Sequence, residues 1–311
     1  MPSRLVDRIR SYEYISRLVQ QAIDVWPEHA SFLMKSLVGH SDSDCALLDR
    51  LSKNIVLLAG DSLSEYLGSY RWMCGVFNDE QIYFVRNKKY RYASFAEVND
   101  RVYSNKIFMQ KYMEGLLVSQ LFWQNHAKSY IFHSNFVRGL PPGFRYLEIG
   151  PGHGLYLATV ASEDGCISAE AWDISAESLA QTESSIRRMG VSKPVLLMQR
   201  DVQAIPKDQV LDKYEVIVIS EVLEHLEQPD LVLRNLKSLL SPKGTILINF
   251  PINSPAPDHI FLLESLEAVQ NLVEKAGLNI EVATCFPATG YSLERAMSIQ
   301  ATVSCAIIAG A

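Results

Sequence analysis

Two short stretches of this chain carry residue types that can do chemistry. The first is Leu147-Glu148-Ile149-Gly150-Pro151-Gly152-His153-Gly154. Glycines at alternate positions permit backbone angles closed to other residues and let the main chain approach a ligand closely. Glu148, just before the first glycine, would repel a pyrophosphate, so the turn differs from the G-x-G-x-x-G dinucleotide pattern and suits a ligand with an amino group. The second stretch is Ser220-Glu221-Val222-Leu223-Glu224-His225. Helical spacing would bring Glu221, Glu224 and His225 to one side. Carboxylates with an imidazole suit Mg²⁺, Mn²⁺ or Zn²⁺ beside a hydroxyl whose pKa the metal lowers. They equally suit a metal-free pocket in which each group is satisfied by water and backbone. The acids Asp173 and Asp201 and the imidazole of His259, in the loop Pro255-Ala256-Pro257-Asp258-His259, complete the candidates.

The surrounding residues read as alternating strands and helices. Strands are predicted over 144–149, 167–173, 194–199, 214–219, 245–250, 278–286 and 301–308. Helices are predicted from Leu155 onward, over 175–189 with Ser175 as N-cap, over 229–240, and over 264–276 with a stop at Gly277. Residues 241–244 read as a turn. Each of the first four strands leads into a polar residue at its C-terminal end, and open α/β sheets bind ligands along that edge.

The glycine turn, Asp173, Asp201 and the Glu221 stretch, in that order, resemble the motifs of class I S-adenosylmethionine-dependent methyltransferases. The resemblance runs from about Phe144 to the C-terminus. It implies a Rossmann-like α/β fold with a seven-stranded sheet, the last strand antiparallel between the fifth and sixth. It implies S-adenosyl-L-methionine as cofactor, held by Glu148, Gly150, Gly152, His153 and Ser220, by Asp173 and Ile174 near the ribose, and by Asp201 and Val202 near the adenine. Tyr130 would contact the methionine carboxylate, and Glu221 and His259 would touch the acceptor as catalytic residues. The E-x-x-E-H pattern also resembles that of ubiquinone-pathway O-methyltransferases and small-RNA 3′-end methyltransferases, where it binds a divalent cation and, in the RNA enzymes, a second histidine completes the site. His259 is the downstream candidate. The same pattern recurs in family members without metal, so the expectation is no metal ligand and a site insensitive to chelators.

Residues 1–140 read as a separate, mainly helical unit and 141–311 as the catalytic domain, joined by the 139–143 linker. Helical periodicity covers 9–25, 32–38, 47–67 and 106–137, and residues 81–92 read as a short hairpin. His126, Tyr130 and His133 share one helix face, directed either at water or at the cofactor and substrate. Residues 69–74 read as a pocket wall or a core helix. By analogy such a unit is a substrate lid, a dimer interface or both, and its apolar content leads us to expect a homodimer.

The chain has 311 residues, 48% of them apolar, and a net charge of −6. That balance argues against a nucleic-acid backbone as substrate. The local cluster Arg86, Lys88, Lys89, Arg91 and Arg101 reads as a solvated face. Cys45, Cys74, Cys166, Cys285 and Cys305 are scattered, as in a reduced, cytoplasmic protein. The N-terminal residues Arg4, Asp7, Arg8 and Arg10 precede no apolar targeting core, and no run reaches membrane-spanning length. The expected activity is methylation of a small molecule, oxygen ahead of carbon or nitrogen, in specialised-metabolite biosynthesis. The rival readings are an RNA or protein methyltransferase and a non-catalytic cofactor-binding scaffold.

Overall fold

The computed structural model describes residues 9–205 and 213–311; Arg4, Asp7 and Arg8 lie outside the described residues. The N-terminal part is built from helices α1 (Glu13–Val25), α2 (Ala30–Leu37), α3 (Asp42–Ala59), α4 (Leu63–Asn87), α5 (Lys106–Phe122) and α6 (Gln124–Arg138). Ile15, Leu18, Val19 and Ala22 form the buried stripe of α1. A capping box between Ser41 and Asp44 starts α3, satisfying two backbone donors reciprocally. Together these helices enclose a core that includes Leu48, Leu51, Ile55, Tyr70 and Phe122. The apolar content that suggested a dimer face is thus largely used within the chain. No helix among the described residues is long and apolar enough to cross a membrane.

Three readings of this part require correction. The predicted 47–67 helix is interrupted after Ala59, and the predicted 106–137 helix is interrupted at Trp123. Residues 81–87 of the predicted 81–92 hairpin are instead the last turns of α4, which ends where Lys88 adopts a left-handed φ of 55°, and 88–92 form no strand. Ile82, Phe84 and Val85 look like strand residues, but the helix turns only Phe84 inward, where it is buried with its ring beside Tyr90, while Ile82 and Val85 are exposed. The basic cluster is partly engaged: Arg91 pairs with Glu80 at 2.8 Å and Lys88 donates to Gln300 at 2.6 Å.

The rest of the chain alternates as β1 (Phe144–Ile149), α7 (Leu155–Ala161), β2 (Cys166–Asp173), α8 (Ala176–Arg188), β3 (Val195–Gln199), β4 (Tyr214–Ser220), α9 (Pro229–Leu239), β5 (Leu240–Ile252), α10 (Leu266–Lys275), β6 (Asn279–Pro287) and β7 (Val303–Gly310). The seven strands lie in the order β3-β2-β1-β4-β5-β7-β6. β7 is antiparallel to both β5 and β6, as the family resemblance implies. The predicted 241–244 turn is a bulge: pairing with β4 passes from Leu240 directly to Thr245. Both faces are covered, one by a cluster with Leu147, Ile217 and Ile248, the other by one with Tyr146, Val216 and Val218. β1 and β4 are adjacent at the point where strand order reverses, and a crevice opens beyond their C-terminal ends. Helix α6 packs on β6, β7 and α7, and buried Asn125 donates to Ser304 at 3.1 Å. The helices are therefore docked against the end of the sheet.

Helices α4 and α5 approach closely at Gly115 on α5, where an added Cβ would lie 2.8 Å from Met73 Sδ and 2.9 Å from Met73 Cβ. Gly115→Ala is expected to lower stability by about 1–3 kcal/mol, because overpacking outweighs the gain in helix propensity. Urea unfolding checks this: an unchanged or raised midpoint would contradict the crossing described here.

Candidate active site

Glu148 and Gly150 stand at the end of β1. Gly150 has a φ of +66°, and a Cβ there would meet Val222 Cγ2 at 2.6 Å. The glycine turn and the turn after β4 therefore touch, which glycine alone permits without displacement. Glu148 is buried and accepts from the Tyr146 hydroxyl at 2.9 Å. Tyr146 in turn lies 3.3 Å from His133 Nε2, and His133 stacks on Tyr156 with centroids 4.2 Å apart. Burial pushes the Glu148 carboxyl up to about 8.

Glu221 follows β4 in a left-handed conformation, φ 54°. For a residue with a Cβ this costs roughly 1–2 kcal/mol and must be held by its surroundings. Asn249 of β5 does so twice: its carbonyl accepts the Glu221 N–H at 3.1 Å, and its Nδ2 donates to Glu221 Oε1 at 2.9 Å. Removal from water raises Glu221 to about 8. Leu223–His225 then forms a single 3₁₀ turn.

Glu224 is fully buried, and neither of its carboxylate oxygens has a hydrogen-bond partner. Its carbonyl accepts from Ile260 at 2.9 Å and Phe261 at 3.0 Å, fixing the loop that carries His259. His259 Nδ1 lies 2.6 Å from the Ser254 carbonyl, and His225 Nδ1 lies 3.0 Å from the Asp258 carbonyl. A carbonyl only accepts, so each Nδ1 carries the hydrogen, and a ring in its neutral form has its lone pair on Nε2. Those Nε2 atoms lie 3.7 Å (His225) and 3.9 Å (His259) from Glu224 Oε1. One donor atom from each of the three residues falls within 4.8 Å of the others. Burial, then the neighbouring His225, lowers His259 to about 3.

The helices close the site from above. Tyr112 of α5 donates to Asp258 Oδ1 at 2.9 Å, and Tyr103 donates to Oδ2 at 3.4 Å. The Tyr90 hydroxyl accepts from the Ser254 N–H at 3.1 Å, and its ring meets His259 edge-on. Between roof and sheet lies a cavity of about 900 Å³.

Glu148, Gly150, Gly152, His153, Ser220, Glu221 and His259 all line this cavity, with Glu224 and His225. Tyr130 does not, contrary to expectation. Its hydroxyl lies 3.0 Å from Thr159 Oγ1, within the helical core; Asn125, His126 and Ser129 of the same helix face the cavity instead. The stripe His126–Tyr130–His133 is not a water-facing one either, since Tyr130 and His133 are buried. Asp173, Ile174, Asp201 and Val202 lie at or beyond the ends of β2 and β3, outside the enclosed cavity. The Asp173 carboxylate accepts from Ser175 N at 2.9 Å and Ser178 Oγ at 2.6 Å, and Asp201 Oδ1 accepts from Gln203 N at 2.8 Å. Ile174 is exposed; Val202 is buried, with its carbonyl bound by Asn235. Sequence reasoning missed Asn249, Asp258, Tyr90, Tyr103 and Tyr112. Only Asn249 left a signal, as an amide inside the apolar run Ile246–Phe250.

Gly150→Ala is expected to cost about 2–4 kcal/mol, combining left-handed strain with the clash at Val222. Adding Val222→Ala should relieve the clash but not the strain. A double mutant no more stable than the single one, by denaturant unfolding, would contradict the contact between the two turns.

The sequence profile of the methyltransferase domain family matches residues 123–283. A ubiquinone biosynthesis O-methyltransferase of Aeromonas salmonicida is 27% identical over 133 residues, which are 43% of this chain and 53% of that protein. A protein of the same name from Coxiella burnetii is 22% identical over 133 residues, 43% of this chain and 54% of its own. The chain thus spans about half the length of the curated relatives it matches. Among solved structures, a SAM-dependent methyltransferase from Aquifex aeolicus aligns with a TM-score of 0.43 at 18% identity, covering 57% of this chain and 88% of that one. The profile match takes in more than half of the chain, from the start of α6 through the glycine turn and the Glu221 turn into β6, and on that match the chain belongs to the methyltransferase domain family.

Proposed function

We propose that this protein transfers a methyl group from S-adenosylmethionine to a hydroxyl of a small molecule, with a divalent cation bound beside that hydroxyl. The observation that carries this reading is Glu224: a fully buried carboxylate without a hydrogen-bond partner, facing the Nε2 lone pairs of two histidines. Once Glu224 is ionised the arrangement consists of acceptors alone, which is costly in a protein interior, and a cation that displaces the proton answers it. The Nδ1–H bonds to backbone carbonyls are the outer support that metal-binding histidines carry. The residues present therefore fit a divalent cation, held by Glu224, His225 and His259. This departs from the metal-free expectation, which turned on the unknown reach of His259.

S-adenosylmethionine, when bound, supplies an electrophilic methyl group, and a cation at Glu224 would lower the pKa of the acceptor hydroxyl. The chain's residues have the remaining tasks. Glu148 binds the cofactor's ammonium, with Tyr146 holding the carboxylate in place. Glu221, one oxygen held by Asn249, takes the hydroxyl proton on the other. Asp173 and Asp201, on the same sheet edge, hold the nucleoside. The helical roof excludes water and aligns the acceptor. A small molecule is favoured over RNA because the ionisable residues described around the cavity are Glu148, Glu221, Glu224, Asp258, histidines and weakly acidic Tyr and Cys side chains. A phosphate backbone would find no lysine or arginine among those described residues.

Chelator-treated protein should bind Mn²⁺, seen by electron paramagnetic resonance, and lose that binding in Glu224→Gln and His259→Ala. Methyl transfer should fall at least tenfold in EDTA and return with Mg²⁺, Mn²⁺ or Zn²⁺. Full turnover in EDTA without bound metal would restore the metal-free mechanism, with Glu221 as base alone.

The raised pKa of Glu148 has a pH signature. In the free protein the group is protonated below about 8, whereas an ammonium requires the carboxylate. Cofactor affinity should therefore rise roughly tenfold per pH unit between about pH 5 and 7, with proton release, and level off near pH 8 as the cofactor's own ammonium titrates. Calorimetry in buffers of different ionisation enthalpy reads this; a Glu148→Gln variant with the same slope would remove Glu148 from the role.

A further inference from the structure

The reacting groups occupy one end of the cavity. The helices build the other end, whose aromatic lining has no part in the chemistry described above. Trp26, His29, Phe32, Phe77 and Trp123 line that end. Their rings are already in contact. His29 stacks on Trp26 with centroids 3.9 Å apart and planes 5° apart, and on Phe32 at 4.6 Å and 21°. Phe77 meets Trp123 edge-on at 4.9 Å. His29 Nε2 is engaged by the Tyr70 hydroxyl at 2.9 Å. Burial lowers this imidazole to about 4, so it is uncharged near neutrality.

Both tryptophans stand at helix breaks. Trp26 precedes the turn Pro27–His29, Trp123 lies between α5 and α6, and neither supplies a side-chain cap. At Trp123 the N–H of Gln124 is instead taken by Thr289 Oγ1 at 3.0 Å, from the loop after β6 that also lines the cavity. Each break gives up helical hydrogen bonds and places an indole on the cavity wall.

From this arrangement we infer that the helical end of the cavity is the acceptor subsite, and that it takes an uncharged, planar aromatic ring system. The inference rests on the methyl-transfer reading and names its substrate class: the ring system belongs to the molecule whose hydroxyl lies at Glu221. Aromatic faces and edges favour a flat ring over a puckered aliphatic body of equal volume through offset-stacked and edge-on contacts. No lysine or arginine is among the described residues that line the cavity, so an anionic substituent on the acceptor is left without a basic side-chain partner.

Calorimetry on protein saturated with S-adenosylhomocysteine tests this with 2-naphthol, saturated decahydro-2-naphthol and 2-naphthol-6-sulfonate. We expect 2-naphthol to bind about fivefold tighter than either analogue. Phe32→Ala and Phe77→Ala should each weaken 2-naphthol about threefold while leaving S-adenosylhomocysteine affinity within about twofold. Phe77→Leu serves if an alanine variant does not fold. Equal or tighter binding of the saturated or sulfonated analogue overturns the inference, as does unchanged 2-naphthol affinity in the folded Phe77 variant. Failure of S-adenosylhomocysteine itself to bind counts against the methyl-transfer reading instead; the same naphthol comparisons on the free protein then still decide the subsite.

Discussion

Asp258 joins the two parts of this molecule where its chemistry is concentrated. Its carboxylate takes hydroxyl hydrogens from Tyr112 and Tyr103, both contributed by the helices, while its carbonyl takes the Nδ1 hydrogen of His225. One buried residue thus fixes the roof above the cavity and the tautomer of one histidine, and through the chain it sets the place of the next residue, His259. A buried carboxylate must be satisfied, and here the partners that satisfy it come from another part of the chain. The roof and the donor cluster cannot be positioned independently of each other.

The same economy appears on the sheet side. Asn249 stabilises the left-handed Glu221 with its main chain and its side chain together, so the strained turn after β4 depends on β5. Gly150 lets the first turn press against Val222 in the second. Three consecutive neighbours in the sheet, β1, β4 and β5, therefore deliver Glu148, Glu221 and Asn249 to one crevice through contacts between their loops. Burial acts on these acids in a common direction. Glu148 and Glu221 are both raised, and Glu224 is raised well above the ordinary carboxylate range by burial and then by its acidic neighbours. A cationic ligand finds them poised to release protons on binding.

The sheet was legible in the sequence because its central strands are buried on both faces and read as short apolar runs ending in a polar residue. The glycine turn was legible because it is local; the E-x-x-E-H stretch was legible as a site but not in its geometry, since Glu221 is left-handed rather than helical and the donor cluster is Glu224, His225 and His259. The reach of His259 was not, since it depends on how the loop after β5 hangs from the Glu224 carbonyl. Tyr130 was misplaced for a related reason. Spacing showed that His126, Tyr130 and His133 share a face, but only docking decides how α6 is rotated, and the cavity receives Asn125, His126 and Ser129. The 81–92 hairpin failed through a short apolar run whose alternation fits a strand as well as a helix end. The contacts of Tyr103 and Tyr112 with Asp258 span more than a hundred residues of chain, and nothing local announces them.

The position of β7 has a consequence for how the chain becomes a protein. β6 pairs with β7 alone, and β7 lies between β5 and β6. In chain order β6 precedes the strand it needs, so a sheet formed without β7 would end at β5 and leave β6 unpaired. The sheet is complete only when β7 pairs antiparallel with both neighbours. Such late, non-local pairing is slow, and an open strand is the kind of edge on which chains associate wrongly. Substitutions in β7, none of whose residues lines the cavity, should therefore weigh on the yield of folded protein more than on its catalysis.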